Sequence, residues 1–254
     1  MRPAEVLARP LAYAGRMAIL GSRALRAMLT PPLEFRAWLA EMESIGVQSF
    51  GVAALTTIFT GMVLALQTTY SLPAIGVKYY IGTVVSKSLV RELGPVLVAL
   101  IVGGRVGTGM TAELGTMKVT EQIDALRSMA ADPIKKLVAP KLAAALIMFP
   151  LLTILGDAIG IFGGLLIAVF QLEITAGFYL NDVLRAITLD DIFSGIGKSI
   201  FFAFWVAIVG CYNGLRARGG ADGVGRATTN TVVMTSVLVL ITDFFLTKLF
   251  YTLF

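Results

Sequence analysis

Apolar residues run almost unbroken through five segments of this chain. No charged residue falls between Glu43 and Lys78. Ile45 to Leu66 is long enough to cross a bilayer, whose hydrocarbon core is about 30 Å thick. A second segment, about 81 to 110, carries Lys87, Arg91, Glu92 and Arg105, with Pro95 as the expected kink. The third, 142 to 172, holds one charge, Asp157, sixteen residues from both Lys141 and Glu173. That places it about 24 Å along a helix from either end, near mid-membrane. The fourth, about 192 to 215, holds Lys198, and the fifth, about 231 to 250, holds Asp243 and Lys248. The pattern predicts an all-α polytopic membrane protein with five transmembrane helices in one domain, the bundle running from 45 to 250.

The polar stretches predict the rest. Residues 1–43 are basic and amphipathic. Arg2, Arg9, Arg16 and Arg23 recur every seven residues and share a face, while Leu7, Leu11, Ala14, Ala18 and Leu25 lie largely off it. This predicts an interfacial helix from about Leu11 to Leu29, punctuated by Pro10 and stopped by Pro31-Pro32. Within 116–133, Thr120 to Met129 predicts a short cytoplasmic helix. Thr120 is its expected cap, Ile123, Leu126 and Met129 or Ala130 its apolar face, and Asp132-Pro133 its stop. Such a short helix must dock on something, either its own bundle or a partner. Residues 173–191, with four acids and one base, read as a polar loop, and 216–226 as a glycine-rich turn.

Composition agrees with a membrane domain: 57% of residues are hydrophobic and 15% charged. There is no histidine and a single cysteine, Cys211, which excludes a disulfide framework and leaves no zinc or haem set. The net charge of +5 follows the loops rather than a nucleic-acid surface. Residues 1–43, 105–141 and 216–226 hold six, six and three Lys/Arg, fifteen together, against one each in 67–80 and 173–191. The positive-inside rule then puts the amino terminus in the cytoplasm and the carboxyl terminus outside. The early arginines leave no apolar stretch of signal-peptide type.

Candidate chemistry lies in the intramembrane charges. Arg91 and Arg105 are about 21 Å apart along a helix, so at least one sits below the headgroups. Lys87, Arg91, Glu92, Lys198 and Asp243 are expected toward the outer ends of their spans. They either form a polar site for a phosphate headgroup or merely pair with one another, Arg91 or Lys198 with Glu92 or Asp243. Asp157 is equally a bundle-internal hydrogen bonder or a functional carboxylate. Gly156, Gly160 and Gly164 form two GxxxG steps, read as helix packing. GADGVGRA at 220–227 has the Gly-x4-Gly of a P-loop, but Arg226 and Ala227 stand where Lys and Ser/Thr are needed. The chain therefore has no ATPase of its own, and no nucleophile–base pair marks it as an enzyme.

Five separated runs resemble the MlaE-type permease family: RELGPVL at 91–97, AEL at 112–114, EQIDAL at 121–126, GVGRATT at 223–229 and FFLT at 244–247. Members are membrane subunits of ABC-type lipid transporters that work with MCE-domain proteins. The resemblance implies a homodimer in a bacterial inner membrane, a separate ATPase that binds the ATP, an MCE-domain partner on the outer face, and phospholipid as cargo. It makes Glu121, Gln122, Ile123, Asp124 and Leu126 a coupling helix for the ATPase. On this reading Arg91 and Lys198 hold a lipid phosphate, Glu92 positions Arg91, and Leu64, Tyr70, Leu72 and Ile75 wall the acyl chains. The rival is a self-contained ion-coupled carrier using Glu92, Asp157 and Asp243.

Overall fold

A computed structural model describes the backbone of residues 3–31, 34–71 and 80–253, with side chains from residue 12 to 252 of that set except Ser71. The described residues are almost all helical, joined by short turns, and none of them is in a strand. Helix α1 is Pro3–Leu29, α2 Phe35–Ser71, α3 Ile81–Ser88, α4 Gly94–Val119, α5 Gln122–Ser128, α6 Ala139–Phe170, α7 Ala176–Ala186, α8 Leu189–Gly214 and α9 Gly220–Leu253. Five helices are long and apolar enough to cross a membrane: Phe35–Tyr70, Ile81–Val119, Ile134–Phe170, Leu189–Gly214 and Gly220–Thr252.

Several boundaries differ from the expectation. Helix α1 continues through Pro10, and α2 starts at Phe35, so its first turns are polar. The fifth span begins eleven residues early, because 220–230 are helical and the turn shrinks to the positive-φ pair Gly219 (φ 88°) and Gly220 (φ 67°). Residues 173–191 are not a loop but contain α7. Tyr179, Val183 and Ala186 are buried at helical spacing, so the polar residues there are the outer face of an amphipathic helix.

Two prolines leave the same local signature. A π-helical turn, Leu89–Leu93, precedes Gly94-Pro95, and another, Ile134–Val138, precedes Ala139-Pro140. A proline cannot donate to the carbonyl four residues back. The chain answers with a wider turn, in which Gly94 N–H donates to Leu89 O and Ala139 N–H to Ile134 O. Pro95 thus produces a register change rather than a simple kink.

The contacts divide the chain into two compact units, and α2, α4, α6, α8 and α9 each give one stretch to each unit. The first comprises Met1–Ile45, Gly103–Leu146 and Ala203–Val237. In it α1 buries Met17, Leu20 and Ala24, leaving Ala14, Ala18 and Leu25 exposed with Arg16 and Arg23. Lys141, 2% exposed, is held by Glu41 and Glu113, each at 2.6 Å.

The second unit comprises Gly46–Val102, Ile147–Phe202 and Leu238–Phe254. Its main core gathers Ala65 of α2, Ile81, Val85 and Leu89, Ala168 of α6, and Tyr179 and Val183 of α7. Helix α7 is fixed twice: Tyr179 donates to Ile161 O (3.1 Å), and Asp182 accepts from Thr83 N–H (2.8 Å) and Thr83 Oγ1 (2.7 Å). The carboxylate satisfies an orphan amide in the first turn of α3 and complements its positive end. Gly156, Gly160 and Gly164 serve packing, as expected. A Cβ on Gly160 would meet Thr57 O at 3.0 Å, and one on Gly61 would overlap the Gly160 carbonyl.

Candidate functional site

The first π turn sets the site, because it aims the adjacent residues Arg91 and Glu92 at different partners. Glu92 does not position Arg91. Its Oε2 accepts from Lys198 Nζ, which also donates to Thr247 Oγ1 (2.7 Å) and lies 3.3 Å from Asp243 Oδ1. Thr247 also lies 3.3 Å from Glu92 Oε2. Lys198 is wholly buried: Glu92 and Thr247 accept its hydrogen bonds, and the Asp243 carboxylate adds an ion-pair contact. Arg91 goes elsewhere: its Nη1 is 3.3 Å from Asp191 Oδ1, and its guanidinium carbon sits 4.2 Å from the centroid of the Tyr251 ring. Asp191 in turn accepts from Thr188 N–H (3.0 Å) and Thr188 Oγ1 (2.9 Å) at the start of α8.

Of the two alternatives, pairing holds for both cations: Lys198 with Glu92 and Asp243, as that option had it, and Arg91 with Asp191 instead. A charge in low dielectric must be paired, and three carboxylates answer two cations here. Of the candidate cations on these spans, Lys87 has no carboxylate partner among the described residues and is half-buried, while the Arg91 side chain keeps 23% exposure.

Three participants escaped the sequence reading. Asp191 closes a Thr188-x-x-Asp191 capping box, a legible signal inside what looked like a loop. Thr247 and Tyr251 follow Asp243 at i+4 and i+8, making one stripe of acid, hydroxyl and aromatic on α9. Of the expected acyl wall, Leu64 is half-buried against the main core of this unit, and Tyr70 stands 80% exposed at the end of α2. Leu72 and Ile75 lie outside the described residues.

Asp157 stands apart from this cluster. It is 7% exposed and lines a cavity of about 240 Å³ with Val90, Ile154, Ile161, Ile192 and Ile196. Its Oδ1 has no hydrogen-bond partner among the described residues. Gly94 leaves room for that carboxylate, since a Cβ there would overlap Oδ1.

In the first unit, α5 is shorter than expected. Thr120 is no cap, for its hydroxyl bonds back to Thr116 O, and Glu121 takes the cap position in the left-handed conformation (φ 61°). Ala130 (φ 58°), not Asp132-Pro133, ends the helix, with Ala131 N–H reaching Leu126 O at 3.1 Å. Only Ile123 of the predicted apolar face is fully buried; Leu126 is half-buried, and Met129 is 69% exposed. Gln122 and Glu121 are exposed. Asp124 is bracketed by Lys118 (2.6 Å) and Arg127 (2.9 Å), and the Lys118 hydrogen bond, with Arg127 beside it, holds its carboxyl below the usual range.

Comparison with known proteins gives this arrangement its context. The family profile described as Permease MlaE matches residues 38–249. A probable ABC transporter permease protein of Rickettsia bellii is 44% identical over 237 residues, 93% of this chain and 92% of the relative. The intermembrane phospholipid transport system permease protein MlaE of Haemophilus influenzae is 40% identical over 212 residues, 83% of this chain and 81% of the relative. The chloroplastic protein TRIGALACTOSYLDIACYLGLYCEROL 1 of Arabidopsis thaliana is 34% identical over 233 residues, 92% of this chain and 67% of the relative. With five apolar spans and a profile that covers most of its length, the chain is an integral membrane protein and belongs to the MlaE permease family.

Proposed function

We propose that this chain is the membrane subunit of a phospholipid transporter, working as a homodimer with a separate ATPase and an MCE-domain partner. The observation that carries the reading is the charged cluster inside the spans: Arg91 and Glu92 in a π turn, locked by Lys198, Asp243, Thr247 and Asp191. Bilayer-depth charge is costly, and here five charged side chains are held in two ion-paired groups. Lys198 serves as the buried frame, and Arg91, still partly exposed, offers its fork to a lipid phosphate, with Lys87 as a second cation. The exposed flank of α5, with Leu126 and Met129, is the surface for the ATPase. Helices α2 and α9, the least buried of the five spans, leave faces for lipid and for the second copy.

Photo-crosslinking to lipid in the membrane tests the headgroup role. Arg91→Ala should lose crosslinking while the complex assembles at normal abundance; unchanged crosslinking would remove the assignment. The ion-coupled reading draws support from Asp157, a buried carboxyl against an apolar cavity. Isolation from native membrane separates the two: an ATPase chain should copurify, whereas a self-contained carrier would come alone.

A further inference from the structure

The first unit holds a second polar site, unrelated to the charged cluster. A cavity of about 490 Å³ opens between α1, the end of α8 and the first turns of α9. Four arginines line it, Arg16, Arg216, Arg218 and Arg226, and no carboxylate appears among its described lining residues. None of the four is paired with a carboxylate among the described residues.

The walls are built rather than incidental. Tyr13 of α1 packs edge-on to Tyr212 of α8, centroids 4.9 Å apart, and its hydroxyl donates to Asn213 Oδ1 at 2.8 Å. Burial, with Tyr212 alongside, raises the Tyr13 phenol above its usual range, so it remains a neutral donor. Asn213 is tied into this wall as well, since its amide donates to Thr231 Oγ1 at 2.9 Å. Arg216 lies 5.2 Å from the Tyr212 ring centroid and donates to the Tyr212 hydroxyl. Arg16 spends only its Nε, on Ala12 O at 3.0 Å. That leaves the outer nitrogens of Arg16 and the full guanidinium groups of Arg218 and Arg226 for a ligand. Gly223 of α9 also lines the cavity, but its amide is taken by Gly219 O (3.4 Å), so the arginines alone offer donors there.

Four guanidinium groups, with no carboxylate among the described lining residues, suit a phosphate held by several hydrogen bonds. We propose that this cavity binds a phosphate group, carried on an anionic phospholipid headgroup or free in solution, at a site separate from the Arg91 cluster. Its place fits a headgroup. One wall is the basic helix α1, which reads as interfacial, and the others end two membrane spans on the side that the loop charges assign to the cytoplasm.

The test puts Asn230→p-benzoylphenylalanine, at the cavity wall, into the complex as purified from its membrane. The complex is reconstituted in nanodiscs of phosphatidylcholine, with or without phosphatidylglycerol. Lipid crosslinks should appear when phosphatidylglycerol is present and fall roughly 10- to 30-fold in Arg218→Gln/Arg226→Gln. Both side chains are exposed, so the melting temperature should hold, and Arg26→Gln/Arg36→Gln, outside the cavity, should crosslink normally. Displacement by millimolar inorganic phosphate assigns the site to the free anion; resistance assigns it to the headgroup. Crosslinking that is equal in phosphatidylcholine alone, indifferent to both arginines, or directed to a partner protein chain overturns the proposal.

Discussion

Lys198 is the residue on which the charged cluster turns. It is wholly buried and answers Glu92 and Asp243, so removing it leaves two carboxylates uncompensated in low dielectric. Lys198→Met should therefore cost about 3–5 kcal/mol and show first as lost membrane abundance. Adding Glu92→Gln and Asp243→Asn to Lys198→Met should restore abundance without restoring transport. An abundant single variant, measured by quantitative blotting against wild type, would mean that the carboxylates find other partners. The sequence made these charges conspicuous, because so few ionisable residues enter the spans. It could not say who pairs with whom. Arg91 and Glu92 are adjacent, so they cannot share a helical face, and their partners come from α8 and α9, about a hundred or more residues away. Asp191 was concealed for a different reason: it stands beside Asp190 in a stretch whose acids resemble a solvated loop.

At the level of elements, the π turn before Pro95 governs where Arg91 and Glu92 point. Pro95→Ala returns the N–H that the Arg91 carbonyl lacks, which favours ordinary helix through Leu89–Leu93 and rotates the charged pair out of register. Thermal stability should hold or rise while lipid transport falls roughly tenfold; normal transport in a stable variant would remove the π turn from the mechanism. Helix α5 allows a cleaner separation than its pattern suggested. Ile123 is fully buried within its own chain, so Ile123→Ala should cost about 2–5 kcal/mol in folding. Leu126→Asp and Met129→Asp alter the exposed flank and should abolish ATPase copurification with the fold intact. Survival of the complex in both would dismiss α5 as the coupling element. The five spans were legible because twenty-odd apolar residues have few other uses. Helix α7 was not, since eleven residues with Asn181, Asp182 and Arg185 look solvated until Tyr179, Val183 and Ala186 are counted at helical spacing.

For the whole molecule, the loop charges, fifteen Lys/Arg against two, predict an orientation, and the chain offers its own means of testing it. Cys211, the single cysteine, is fully buried, so a membrane-impermeant maleimide should leave the native protein unlabelled. Introduced cysteines then report without a cysteine-free background. Met129, 69% exposed just after α5, belongs to the basic side; Leu184, 76% exposed on α7, belongs to the other. A strong bias of basic loops toward the cytoplasm makes Met129→Cys reactive only in inside-out vesicles and Leu184→Cys only in right-side-out ones. Five spans require those two positions to disagree, because one span, Ile134–Phe170, separates them. Labelling of both from the same face would break the five-span topology itself. Labelling in the reversed sense would keep the topology, move α5 to the outer face and end its assignment as an ATPase contact.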